Sequence, residues 1–220
     1  MKQKLEERLD RYNNFYAAID LGLPSGTKWA NMNVGATKSE ECGGYYAWGE
    51  TEEKEEYTLD NYKFRESYCD QYLIKNRDCW DWMKDDIYCF QECVIDFESM
   101  DDIAYTKYDV APVKWGSPWR IPRISELEEL YENCSIEDDF VFADELVMKI
   151  TGANGNSLFL PYGKYWSSIK NGKDKAKAYC FAFDGIFNHS NSEYRDRGLL
   201  IGPVFDISEI EDDIIIKKNS

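Results

Sequence analysis

The stretch from Asp20 to Ala36, DLGLPSGTKWANMNVGA, decides how this chain is read, because it is rich in glycine and sets Ser25 between Pro24 and Gly26. A nucleophile elbow needs G-x-S-x-G, with one residue between the serine and each glycine. Here Gly26 follows Ser25 directly and Pro24 precedes it directly. A Walker loop needs Gly-Lys-Ser/Thr opening a helix, whereas Gly26-Thr27-Lys28 runs into a strand-like segment. Ala17 to Leu21 is apolar and β-compatible, and Thr27 to Val34 alternates. The stretch therefore reads as strand, Pro-Ser-Gly turn, strand, and Ser25 as architectural.

Bulk properties narrow the rest. The 220 residues suffice for one good core or two small ones, and 43% hydrophobic with 15% aromatic content is globular. Sixteen tyrosines suit a recognition surface. A net charge of −16 repels a phosphate backbone or an anionic membrane, so no nucleic-acid partner is expected. No run approaches the ~18 apolar residues of a membrane span, so no membrane insertion is expected. The N-terminus lacks the apolar core of a signal peptide and reads as a short amphipathic helix over residues 1–16, with Leu5, Leu9 and Tyr12 on one face. As written, the chain is expected in the cytoplasm, or secreted or at the cell surface if an export signal was trimmed.

Seven cysteines, none in zinc-ribbon spacing, read as thiols in a reducing compartment. Cys89 and Cys93 could share a helix face, but two thiols do not make a metal site. With His189 as the single histidine, a multi-histidine zinc site is excluded. The acidic runs lack an EF-hand loop and read as solvated surface. No cofactor, metal or catalytic residue is assigned.

Along the chain, residues 54–109 form an irregular Cys/Trp/Asp-rich stretch, read as an ordered insertion in a single domain spanning 17–220. Pro122 ends an extended piece. Ser125 and Glu128 fit a capping box opening a helix over about Ser125 to Cys134, with Leu127, Leu130 and Tyr131 as its apolar stripe. The segment Ala143 to Ile150, ADELVMKI, has helix propensity, yet the Gly-Ala-Asn-Gly-Asn that follows signals a hairpin. Residues from Lys177 onward read as short strands around polar turns.

DLGLPSGTKWANMNVGA, GGYYAWGE (43–50), YDVAPVKWGSPWRIP (108–122), ELEELYENC (126–134), GNSLFLP (155–161) and YWSS (165–168) occur in that order. Together they resemble the Fibrobacter succinogenes major paralogous domain family of Bacteroidetes. That family is similar to the C-type-lectin-like fold shared by formylglycine-generating enzymes and by the variable proteins of diversity-generating retroelements. The resemblance covers about Ala18 to Val204, apart from residues 54–100. It implies an α+β domain, a twisted antiparallel sheet flanked by two helices, with terminal strands pairing near each other. It implies core packing for Trp29, Trp48, Trp115, Trp119 and Trp166, and a ligand surface in the C-terminal half. The chain departs from the family in three places. The loop between FLP and YWSS is short, the insertion is long, and Gly202 stands where an arginine is usual before the final Pro-Val. The copper-holding cysteine pair of formylglycine-generating enzymes and the Glu-Pro-Asn or Gln-Pro-Asp signatures of calcium-dependent lectins are missing.

The expected function is a non-catalytic binding module for a protein or glycan surface. The segment Phe187 to Arg197 interleaves adaptable hydrogen-bonders with rigid anchors, as a paratope does. Its candidate contacts are Asn188, His189, Asn191, Tyr194, Arg195 and Arg197. Alternatives are a thiol-dependent enzyme using Cys89 and Cys93 in the Cys-rich insertion, and a structural subunit assembled through the N-terminal helix. The oligomeric state is left open.

Overall fold

The computed structural model describes residues 17–65, 100–174, 176–183 and 189–205. The expected N-terminal helix, the Cys89/Cys93 pair, most of the Cys-rich insertion and Asn188 lie outside the described residues. The elements, in chain order, are β1 (Ala18–Ile19), β2 (Lys28–Ala30), α1 (Val110–Trp115), α2 (Ile124–Asn133), β3 (Ser135–Phe142), β4 (Glu145–Thr151), β5 (Ser157–Leu160), β6 (Gly163–Lys170), β7 (Lys177–Phe183), β8 (His189–Tyr194) and β9 (Val204–Phe205), with one 3-10 turn at Leu59–Asn61. They build three antiparallel three-stranded sheets, ordered β1-β2-β9, β3-β4-β5 and β6-β7-β8. Among the described residues the fold is thus α+β, dominated by antiparallel sheet with few helices.

The DLGLPSG stretch is a turn between paired strands: Ala18 opposes Ala30 and Ile19 opposes Trp29. Gly26 donates its amide to Leu23 O at 3.0 Å and sits at φ 77°. That conformation is easy for glycine and costly for a residue with a Cβ. Ser25 Oγ donates to Glu129 on α2 and accepts from Thr27 N. The hydroxyl is committed to holding the turn on the helix.

Two hydrophobic clusters flank β6 and β7. On one side Trp166, Ala178 and Cys180 pack with Trp48, Trp119, Val34 and Ile201. On the other Tyr165, Phe181 and Phe183 pack with Leu127, Leu130, Leu158 and Leu200. A strand buried on both faces loses the polar alternation of a half-exposed one. That is why Ala178 to Phe183 reads as a continuous apolar run. Trp29, Trp48, Trp119 and Trp166 are fully buried, and Trp115 is half-buried, edge-on to Trp119. Replacing one such indole by alanine typically costs about 3–5 kcal/mol.

The motifs meet one another in space. Trp48 Nε1 donates to Ser167 O at 2.9 Å, and Trp166 Nε1 donates to Tyr46 O at 2.7 Å, so GGYYAWGE and YWSS clasp reciprocally. The β6–β7 register shifts between Trp166 and Lys170. This irregularity releases Ser167 O for Trp48 and lets Ser168 bond Pro122 O and Ile103 N. Asn154 and Asn156 of the β4–β5 turn both donate to Asp20 O. A Cβ on Gly152 would stand 2.0 Å from Leu21 O, so only glycine allows this approach.

Two local expectations are corrected, and one ambiguous segment takes a single form. Of ADELVMKI, which carries both helix propensity and a following hairpin signal, Glu145 to Ile150 belong to strand β4. Ala143 and Asp144, at φ 51° and 71°, form a two-residue turn that pairs β4 with β3, and burial of Val147, Met148 and Ile150 outweighs helix propensity. Helix α2 is capped two residues earlier than the Ser125/Glu128 box: Glu126 Oε2 accepts from Arg123 N at 2.7 Å, and Glu128 instead accepts from Ser190 Oγ. Tyr131, expected on the buried stripe, is exposed and tilts against Phe181 at its edge.

Asp109 ties the YDVAP and WRIP motifs together. Its buried carboxylate caps α1 through Ala111 N and also accepts from Tyr105 N and Ile121 N. Burial pushes this carboxyl up to about 7, against the opposing pull of these amides and of Arg120. The folded state therefore keeps the proton to higher pH than the unfolded chain, whose carboxyl ionises near its ordinary value of 3.8. The Asp109 contribution to stability is fully present below about pH 4 and falls as pH rises to about 7, by on the order of 4 kcal/mol at most. Urea unfolding of wild type and Asp109→Asn at several pH values tests this. The stability advantage of wild type over Asp109→Asn should shrink as pH rises through that window; a difference that stays constant or grows contradicts it.

Candidate functional site

Strand β8 is the polar face of this frame. It pairs antiparallel with β7, with Ala182 opposite His189, Cys180 opposite Asn191 and Lys177 opposite Tyr194. Because β7 is packed on both faces, the main chain of β8 rests on a rigid support. Of the expected contacts, His189, Asn191 and Arg197 are exposed and Tyr194 is 42% exposed.

Arg195 is different. It is 0% exposed, its guanidinium lies 5.8 Å from the Trp48 ring centroid, its amide donates to Ala176 O and its carbonyl accepts from Trp48 N. Asp196 beside it is also buried. The expectation that Arg195 contacts a ligand is therefore corrected: it closes the core behind the rim. The physical reason is that β8 ends at Tyr194, and the chain then turns inward toward Trp48.

The structure also recruits residues that sequence reading did not single out. Lys177 Nζ lies 4.8 Å from the Tyr194 ring centroid, a cation–π contact that holds the ring upright. Lys164 of β6 pairs with Glu193 of β8 at 2.8 Å, bridging over β7. Burial would raise the Glu193 carboxyl, but the Lys164 hydrogen bond, the Tyr194 amide and the nearby cations hold it below its ordinary value. The Glu193 hydrogen bond in turn raises Lys164. Ser190 Oγ donates to Glu128 and ties β8 to α2. These partners come from strand register, which spacing along the chain does not reveal.

This face presents hydrogen-bonding side chains and one half-exposed aromatic ring, that of Tyr194. The Cys180 thiol, which lies beneath this face, is fully buried, and burial pushes it up to about 12. Burial also raises Cys134. Both stay protonated near neutrality and are poor nucleophiles. Among the described residues, no group of His, Cys, Asp and Glu is gathered to hold a metal ion, and no helix is long and apolar enough to cross a membrane.

Comparison of the chain with family models, with curated proteins and with solved structures gives no match. The division between rim and core is directly measurable. Arg195→Ala should lower unfolding free energy by about 2–4 kcal/mol, as expected for a large buried side chain. Tyr194→Ala should change it by less than about 1 kcal/mol. Chemical denaturation of both variants checks this; equal losses, or a reversed order, would contradict the assignment.

Proposed function

We propose that the chain is a non-catalytic binding module with a C-type-lectin-like fold, of the Fibrobacter succinogenes major paralogous domain kind, recognising a protein or glycan surface through β8 and the turn after it. One observation carries the reading: a polar strand, exposed on its outer side and ending in a half-exposed tyrosine, is mounted on a strand buried on both faces. A rigid support lowers the entropy lost on binding, and Ser, His and Tyr supply adaptable hydrogen bonds with one rigid anchor.

Several features support the fold part of the proposal. The first and last described strands meet in one sheet, since β2 pairs with both β1 and β9. The motif segments that carry the family resemblance bond to each other. The position before Pro203-Val204, where the family usually has an arginine, is Gly202, buried near Trp29, Asn33 and Tyr165. The ligand surface is therefore assigned to β8 and not to that end. The charge of −16 supports a partner other than nucleic acid.

The test is a glycan array together with a pull-down against candidate surface proteins, comparing wild type with Tyr194→Ala and Arg197→Ala. Tyr194→Ala should weaken binding at least about tenfold, as loss of an aromatic anchor does, while the variant unfolds at the wild-type temperature. Binding that is unchanged in both variants removes this site.

A further inference from the structure

We propose that the outer edge of β8 is a docking site for an extended polypeptide strand, which joins the sheet through the main-chain groups of Ser190 and Ser192 and the amide of Tyr194. This deepens the binding-module reading and rests on it, by choosing protein over glycan and naming the mode.

The edge is defined by what covers the others. The far side of β6 is occupied by the segment around Leu200: Trp166 N donates to Leu200 O and Leu200 N donates to Lys164 O, both at 3.0 Å. In the order β6-β7-β8, β8 is terminal, and among the described residues no strand pairs with its outer side.

The phase of the ladder fixes which residues face outward. In an antiparallel pair, alternate residues turn both main-chain groups toward the partner or both away. Arg195 N donates to Ala176 O, one step past the Lys177–Tyr194 pair, which makes 195 an inward residue. Asn171 N donates to Lys177 O, so Lys177 faces β6, and Ala178, Cys180 and Ala182 face β8. Their partners Glu193, Asn191 and His189 are then the bonded ones. Ser190, Ser192 and Tyr194 turn their N–H and C=O outward.

The contacts around that edge agree. Ser192 N donates to Asn191 Oδ1 at 2.8 Å, Tyr194 N donates to Glu193 Oε1 at 3.1 Å, and Tyr194 O accepts from Arg197 N at 3.0 Å. Two of the three outward amides are thus held by side chains of the residues just before them. Such contacts blunt an open edge. They are also exchangeable: a partner carbonyl arriving at Ser192 or Tyr194 replaces one acceptor by another, and the released side chain returns to water. Donors and acceptors recurring at every second residue match the repeat of another main chain, the mode by which extended peptides add to sheet edges. Tyr194, steadied by Lys177, offers a side-chain anchor at one end. The overall negative charge favours an incoming segment poor in Asp and Glu.

The two modes differ in sign at Asn191. If Asn191 contacts the ligand through its side chain, Asn191→Ala weakens binding. If its side chain only caps the edge, Asn191→Ala leaves binding equal or tighter. Ser192→Pro removes the outward amide and places a ring in the path of an incoming strand, but leaves the bonds to β7 in place. A displayed library of random peptides of about ten residues, panned on the full chain, supplies the probe, and the enriched peptides are then titrated. The expected result is that Ser192→Pro loses at least about tenfold in affinity with an unchanged circular dichroism spectrum, while Asn191→Ala binds as well as wild type or better. The proposal is overturned if no peptide is enriched, if Ser192→Pro binds normally, or if Asn191→Ala binds weaker. Should Ser192→Pro misfold, the direction of the Asn191→Ala effect alone decides. Glycan binding that is lost in Tyr194→Ala but kept in Ser192→Pro overturns strand addition and leaves the binding-module reading standing.

Discussion

The carboxylate of Glu126 is the point on which separate parts of the chain converge. Its Oε1 accepts from Arg120 Nη2 at 2.6 Å and from Thr27 Oγ1 at 3.0 Å; its Oε2 accepts from Arg120 Nη1 at 2.6 Å and from Arg123 N at 2.7 Å. One side chain thereby joins the first turn of the fold, the strand-like WRIP segment and the start of α2. Arg120, 1% exposed, also exchanges two main-chain hydrogen bonds with Val204 of β9. A buried ion pair is weak evidence for stability in itself, because desolvation offsets much of the attraction. Its value here is specificity: four donors around one carboxylate are satisfied only when all three segments are in register.

From that knot the rest follows in order. Asp109 repeats the device one step away, pinning α1 and the Tyr105 turn to Ile121. The WRIP segment, so held, carries Pro122 O to Ser168 N, which fixes the irregularity in β6. That irregularity sets the reciprocal clasp of Trp48 and Trp166, and the clasped indoles fill one side of β7. With the other side filled by Phe181, Phe183 and the α2 leucines, β7 becomes the rigid support on which β8 is displayed. The polar rim is thus the last layer of a chain of constraints that starts in a buried carboxylate.

Much of this scaffold was legible in the sequence. The turn at Pro24-Ser25-Gly26 and the Gly-Ala-Asn-Gly-Asn hairpin declare themselves because their glycines and asparagines serve turn geometry. Leu127 and Leu130 show the buried face of α2 by helical spacing. What escaped has physical reasons. Helix α1 holds Pro112 in its first turn, where proline is tolerated, but a Pro-containing six-residue segment carries no periodicity. The β3–β4 turn uses Ala143 and Asp144 at positive φ, where alanine gives no signal. The α2 cap is shifted because Glu126 serves the knot. At the rim, the polar character of residues 189–194 was readable, but the inward turn of Arg195 was not: an arginine has the same spelling on the surface and stacked on a buried indole. Which amides face outward from β8 depends on register with β7 and so is a property of the pair.

The most direct measurement of the central claim is a double-mutant cycle on the knot by chemical denaturation, using Glu126→Gln, Arg120→Met and the two combined. Either single variant should lose about 3–5 kcal/mol, because it leaves buried partners unsatisfied, and the double variant should lose clearly less than the sum of the singles. Single losses below about 1 kcal/mol, or strictly additive losses, would contradict the claim that this carboxylate holds the fold in register.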